Sequence, residues 1–176
     1  MDRYLIRKAD EKDLDSIEMI YDRIHDAEES GKLTTGWIRG IYPVRCTAQE
    51  AIRREDMYVL EKEKRVLAAA IINRVQGDIY AQGSWKFPAE SEKVCVLHTL
   101  AVLPEEAGKG YGQAMIRFYE SLAEKTGCTE LRLDKNEKNL AARTLYQKMG
   151  YQEAGILPTV FNGIPDVRLV LLEKQI

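Results

Sequence analysis
Apolar positions along this chain repeat with two different periods, and the switches between them mark out the elements. Tyr4 to Lys8 has the short alternating character of a strand. It is followed by Leu14, Ile17, Ile20, Tyr21 and Ile24 at the spacing of one helix face. Asp10 is placed to cap that helix from about Glu11, with Asp13 in the capping-box position. The segment from Gly31 to Cys46 mixes Gly31, Gly36, Gly40 and Pro43 with Trp37, Ile41 and Tyr42, which predicts an irregular excursion rich in aromatic side chains. Thr47 to Glu50 reads as a second capping box, opening a helix through about Glu55. Tyr58 to Glu61 and Val66 to Arg74 then predict an antiparallel hairpin over the charged turn Lys62 to Lys64. Gln76 to Pro88 is again loop-like, and Val94 to Val102 is a nearly continuous apolar run suited to a strand buried on both faces.

The second half carries the clearer pattern. Met115, Ile116, Phe118, Tyr119, Leu122 and Ala123 define a helix from Gly112 to about Lys125, with Gly127 at or just past its end. Leu131 to Leu133 is the next strand. A strand, helix, strand succession makes a right-handed crossover, so the strands ending near Val102 and Asp134 are expected to be parallel, with the helix N-terminus at their C-terminal edge. Ligands favour that edge in open sheets. Leu140 to Met149 predicts a further helix closed by Gly150, and Tyr151 to Gly155 with Val167 to Leu172 predict two strands linked around Asn162-Gly163. No repeat or linker interrupts the 176 residues, which are expected to form a single domain, 1–176.

Composition narrows the function classes. With 26 basic and 28 acidic residues the formal net charge is −2, so no whole-chain attraction toward nucleic acid exists. Cys46, Cys95 and Cys128 are odd in number and far apart, which suggests neither a disulfide framework nor a metal cluster. Met1 to Lys8 lacks the apolar core of a signal peptide, and no stretch approaches a membrane span, so a cytoplasmic location is expected.

The most specific chemical signal is Gly108-Lys109-Gly110-Tyr111-Gly112 between the buried strand and its helix. Glycines at alternate positions admit left-handed backbone angles, so successive N–H groups can converge on one anion at the positive end of the helix dipole. A tight strand-to-helix connection would need only one glycine, so phosphate binding explains the turn better. Lys109 is either a fixed charge beside that anion or an ordinary solvated lysine. A P-loop needs Ser or Thr after its lysine, where this chain has Gly110. A dinucleotide fingerprint needs a third glycine where this chain has Gln113, although Asp134 stands at a suitable distance for a ribose contact.

Asn139 and Tyr146 are seven residues apart, about two helical turns, and so share a face, with Ala141, Leu145 and Met149 on a different, core-facing stripe. Leu100 to Pro104, the glycine turn, and Asn139 to Tyr151 together resemble the core of the GNAT acetyltransferase superfamily over roughly Val94 to Ala154. The resemblance implies an α/β fold with a central mixed, mostly antiparallel twisted sheet, parallel splayed strands 4 and 5, and helices on both faces. It implies acetyl-CoA as the acyl donor: Leu100, Ala101 and Val102 would pair with the pantetheine amides, and Gly108, Lys109, Gly110, Tyr111, Gly112 and Gln113 would hold the pyrophosphate. Asn139 would contact the cofactor arm, and Tyr146 would assist departure of the thiolate. One departure is Ala107, where the family usually carries Arg or Gln at the first position of the phosphate turn. Reference values of about 10 for Tyr and about 8.5 for a thiol make full proton transfer from tyrosine uphill by roughly 2 kcal/mol, so hydrogen bonding to the developing thiolate is the larger part of the expected role.

The acceptor has to attack as a neutral amine, and at pH 7 only about one alkylamine in a thousand is neutral. His98, on the strand leading into the site, is the first candidate for the base, with a satisfied core histidine as the competing account. Glu28 and Glu29 are weaker candidates. Trp37, Tyr42 and Trp85 would either line an acceptor pocket or pack loops onto the domain. The expected activity is N-acetyl transfer to a small-molecule or peptide primary amine by direct attack, with no nucleic acid, membrane or metal involved and a homodimer among the assemblies allowed. A non-catalytic acyl-CoA binding module and a nicotinamide dinucleotide binder are the alternatives.

Overall fold
The computed structural model describes residues 3–176; Met1 and Asp2, part of the stretch read against a signal peptide, lie outside the described residues. Among the described residues, seven strands form one sheet: β1 (Leu5–Lys8), β2 (Met57–Lys62), β3 (Arg65–Asn73), β4 (Val94–Val102), β5 (Glu130–Asn136), β6 (Gln152–Phe161) and β7 (Ile164–Gln175). The α-helices of the described residues are α1 (Leu14–Glu29), α2 (Arg45–Arg53), α3 (Tyr111–Lys125) and α4 (Leu140–Lys148). The strand order is β1-β2-β3-β4-β5-β7-β6, and β4 with β5 is the parallel pair in an otherwise antiparallel ladder. This mixed sheet is the expected α/β architecture. A dinucleotide site of the doubly wound kind needs several adjacent parallel strands, which this order lacks.

Seven successive residues of β3, Val66 to Ile72, are buried, which requires cover on both sheet faces. α1 and α3 both pack against β3 and β4, and α2 packs on α1 and β2. The expected helix face of α1 is the buried one, with Leu14, Ile17, Ile20, Tyr21 and Ile24 all in the core. Its start is held as the sequence predicts: Asp10 accepts from the Lys12 N–H at 2.8 Å and donates its own N–H to Asp13 at 2.9 Å.

Three local expectations change. α2 begins at Arg45 rather than after Thr47, because Thr47 sits inside the first turn and its hydroxyl accepts from the Val44 N–H at 3.1 Å. β5 runs on to Asn136 and β6 and β7 are longer than their apolar cores, since antiparallel pairing between β5, β7 and β6 satisfies the backbone of polar positions too. On α4 the fully buried residue is Tyr146, while Ala141 is exposed, so the phenol shares the core-facing stripe instead of avoiding it.

Candidate active site
The site begins where β4 and β5 part. They are paired from Val94 with Glu130 to Leu97 with Leu133 and no further. Beyond that point β4 stays with β3 as far as Val102, and β5 stays with β7 as far as Asn136. The β4 edge from His98 to Val102 is thereby left without a strand partner on the β5 side. In the same stretch the β3 register slips between Ala69 and Ile71, and Thr99 takes φ 50°, an unusual angle for a β-branched residue, which marks a bulge. The buried Thr99 hydroxyl is hydrogen-bonded to the Tyr42 phenol. The bulge re-aims the strand and helps open the wedge between β4 and β5.

A narrow cavity of about 70 Å3 occupies this wedge, walled by His98, Thr99 and Leu100 on one side and Asp134, Lys135 and Asn139 on the other. Wider hollows of about 520 and 400 Å3 adjoin it, and both include His98 and Asn162. The excursion from Gly31 to Cys46 roofs the wedge: Trp37 meets Tyr42 edge to face at 6.1 Å, and Tyr42 meets Phe161 at 5.3 Å. Trp85 lies elsewhere, stacked under the Arg132 guanidinium at 4.1 Å and donating to the Tyr80 carbonyl at 2.7 Å, so it packs a loop instead of lining the wedge.

Tyr146, whose ring centroid lies 5.7 Å from the Nζ of the wedge residue Lys135, has 1% of its surface exposed, and its hydroxyl is buried with no hydrogen-bond partner among the described residues. Burial pushes its pKa up from the ordinary tyrosine value, and the nearby Asp134 charge adds to that. A buried phenol that satisfies nothing in the protein costs free energy. Such a group is well placed to serve a ligand.

His98 Nε2 lies 2.9 Å from Asn73 Oδ1. Asn73 donates its amide to the Asp56 carboxylate at 2.9 Å, and its Oδ1 also accepts the Val75 N–H at 2.9 Å. That oxygen is therefore the acceptor, which assigns the proton to His98 Nε2 and leaves the lone pair of the neutral ring on Nδ1. Arg54 completes the row, 3.0 Å from Asp56. Burial pushes the His98 pKa down, opposed by the charges of Asp134 and Asp56, so the ring is neutral at pH 7. Glu28, by contrast, accepts from the Thr35 N–H and hydroxyl and from the Gly36 N–H at 2.8, 2.8 and 2.9 Å, and Glu29 is paired with Arg39 at 2.9 Å. Both carboxylates hold the roof together.

At the far end of β4, Gly108 and Gly110 adopt φ 79° and 84°, while Gly112 is helical and sits 3.7 Å (from an ideal Cβ) from Val102. Two of the three glycines thus supply the left-handed angles, and the third supplies close packing. None of the N–H groups from Gly108 to Gly110 donates within the described chain, and the first turn of α3 leaves those of Tyr111 to Gln113 without helical partners. The Tyr111 ring is buried and packs edge to face on Tyr4 at 6.2 Å, so its main chain rather than its phenol is offered here. The Lys109 ammonium is paired with Glu106 at 2.7 Å. Asn139 is the N-cap of α4, its Oδ1 accepting from the Ala142 N–H at 3.2 Å, and still lines the wedge.

Sequence reasoning missed Lys135 and Asn73. A strand ended at Leu133 hides Lys135; continuing the alternation Leu131, Leu133, Lys135 would have put an ammonium on a core-facing row, a conspicuous position for a charge. Asn73 carries no local signal, because its importance lies in a register that pairs β3 with β4.

The chain thus combines a mixed sheet opened between two parallel strands with free main-chain donors at the start of α3 and a buried phenol on α4. The sequence model of the Acetyltransferase (GNAT) family matches residues 17–151, and the chain belongs to that family. A GNAT-family acetyltransferase from Streptococcus agalactiae superposes with a TM-score of 0.80 at 21% identity, over 98% of this chain and 95% of its own. The ribosomal-protein-S18-alanine N-acetyltransferase from Escherichia coli gives 0.69 at 20% identity over 99% and 94%. The structure of yncA from Salmonella typhimurium with its cofactor acetyl-CoA gives 0.69 at 18% identity over 98% and 93%. These likenesses are of fold. N-acetyltransferase 8B of Rattus norvegicus is 31% identical over 88 residues, 49% of this chain and 40% of the rat protein, so the match spans less than half of that relative.

Proposed function
We propose that the chain is an acetyl-CoA dependent N-acetyltransferase that acts in the cytoplasm as one domain and delivers the acetyl group to a primary amine by direct attack. The observation that carries this reading is the buried Tyr146 hydroxyl, unpartnered among the described residues and next to the wedge residue Lys135, on a chain that also offers the free N–H groups of Gly108 to Gly110. The residues fit such a donor: nothing stands within 4 Å of an ideal Cβ at Gly108 or Gly110, so a phosphate can approach the backbone there. The donor supplies an activated thioester carbonyl. The unpaired edge of Leu100 to Val102 offers main-chain groups to the amides of its arm, and Lys109 exchanges Glu106 for a phosphate. With Ala107 in place of a longer polar side chain, affinity rests on the backbone donors and Lys109.

On the acceptor side, His98 Nδ1 accepts the proton that the attacking amine sheds, and the row through Asn73, Asp56 and Arg54 fixes the ring orientation. Tyr146 donates a hydrogen bond to the departing sulfur. The aromatic roof of Trp37, Tyr42 and Phe161 borders the acceptor, which suits an amine with an apolar or aromatic neighbour; small molecules and peptide N-termini both meet that description.

The test is a panel of amines incubated with acetyl-CoA and longer acyl donors, followed by thiol release and product mass. Amine-dependent thiol release with a product heavier by one acetyl group is expected. Tight calorimetric binding of acetyl-CoA with no turnover across the panel would overturn the enzyme in favour of a non-catalytic acyl-CoA module.

A further inference from the structure
We infer that the Lys135 ammonium, on the β5 wall of the wedge beside Tyr146, is the counter-charge and proton donor for the sulfur leaving group. The inference deepens the acetyltransferase reading and rests on it. Lys135 lies two residues beyond Leu133, the last residue of β5 that pairs with β4, so its side chain enters the gap on the row set by the buried Leu131 and Leu133. Its Nζ stands 5.7 Å from the centroid of the Tyr146 ring and lines the narrow cavity opposite His98. Among the described residues it makes no hydrogen bond and no ion pair, and its contact is the face of the Tyr146 ring, whereas Lys109 pairs with Glu106 and Lys174 with Glu120. The adjacent Asp134 carboxylate, which lines the same cavity, accepts from the Tyr80 hydroxyl at 2.7 Å. An ammonium on the cavity wall whose contact is an aromatic face, with no carboxylate or carbonyl holding it, is free to meet a ligand anion there.

Proton matching favours the same residue. Burial raises the Tyr146 pKa away from that of a thiol, and burial lowers the Lys135 pKa toward it, with Asp134 opposing. The Tyr146 ring on α4 lies under the ammonium, Asp134 on the same strand acts on it by charge, and His98 on β4 lines the same cavity. In the reaction the amine nitrogen bonds to the thioester carbonyl carbon, and the carbon–sulfur bond breaks with its electron pair going to sulfur. The amine proton passes to His98 Nδ1 and on to water. The thiolate, hydrogen-bonded by Tyr146, takes a proton from Lys135, which is restored from solvent at the mouth of the wedge. Protons lost and gained balance, and the products are the amide and the free thiol.

The experiment compares wild type, Lys135→Gln and Lys135→Arg in two assays. In steady-state turnover, Lys135→Gln is expected to lower kcat by about 10²-fold with KM for acetyl-CoA within about threefold, and Lys135→Arg to recover part of that loss through its charge. In calorimetry at pH 8, wild type is expected to bind CoA about tenfold more tightly than desulfo-CoA, and Lys135→Gln to abolish the difference, which isolates the sulfur contact. Turnover of Lys135→Gln within threefold of wild type, or equal loss of CoA and desulfo-CoA affinity in a variant with unchanged melting temperature, would overturn the assignment. Absence of wild-type turnover with every amine would overturn the acetyltransferase reading itself, while the CoA against desulfo-CoA comparison would still decide for or against Lys135 as the partner of the sulfur.

Discussion
The Tyr146 hydroxyl makes no contact that folding depends on, so Tyr146→Phe separates catalysis from stability. We expect kcat to fall about 10–10²-fold, with KM for acetyl-CoA within about threefold and a melting temperature equal to or above that of wild type. A melting temperature lowered in step with activity would assign the phenol to packing alone. His98 carries the pH dependence. Its pKa is lowered in the folded protein by burial, so the neutral ring stabilises the fold above the ordinary histidine value of about 6.5 and that contribution is lost as pH falls. The acid limb of kcat/KM should accordingly lie below about pH 6.5, and His98→Gln should lower activity and remove that limb. At this scale Tyr146, His98 and the glycines were legible, because each sits in or beside a recognisable local pattern. Lys135 and Asn73 were not, because what makes them notable is where β5 ends and how β3 registers against β4.

At the scale of elements, the strand-to-helix turn distributes its work unevenly among glycines that look alike in sequence. Gly110 at φ 84° has open space around an ideal Cβ, so Gly110→Ala introduces backbone strain without a clash. It should cost about 1–3 kcal/mol of stability and weaken acetyl-CoA binding by disturbing the donor ring. Gly112 is helical, and an ideal Cβ there would meet Val102 at an ordinary 3.7 Å, so Gly112→Ala should hold or raise stability by up to about 1 kcal/mol while still crowding the ligand. Chemical denaturation and calorimetry on the pair would separate the two roles; equal destabilisation would contradict the division. The α2 boundary shows the complementary limit. Thr47 and Glu50 match a capping signature, yet helix formation begins two residues earlier, and Thr47 satisfies the Val44 N–H from within the first turn.

At the scale of the whole molecule, an ionisable cluster on the paired strands β5 and β7 ties stability to pH. Glu130 is buried beside Glu173, and burial followed by that like charge pushes its pKa up to about 8. The folded state therefore binds a proton that the unfolded state has released above about pH 4.3, so this group's stabilisation is complete at low pH and is lost as pH rises toward 8. Glu130→Gln should flatten the decline of melting temperature between about pH 5 and pH 8, and an unchanged slope would show that Glu130 is ionised in the fold. The sequence alone determined the succession of elements, the strand-helix-strand order whose strands β4 and β5 are parallel, and a glycine turn with left-handed angles before α3, because these follow from local periodicity, chirality and backbone freedom. Only the tertiary structure decided that β4 and β5 separate after Leu97 and Leu133, that Tyr146 is buried without a partner, and that an ammonium stands beside it. Those facts depend on which distant strand or loop claims each backbone edge and side chain, and the spacing of residues along a chain does not encode that competition.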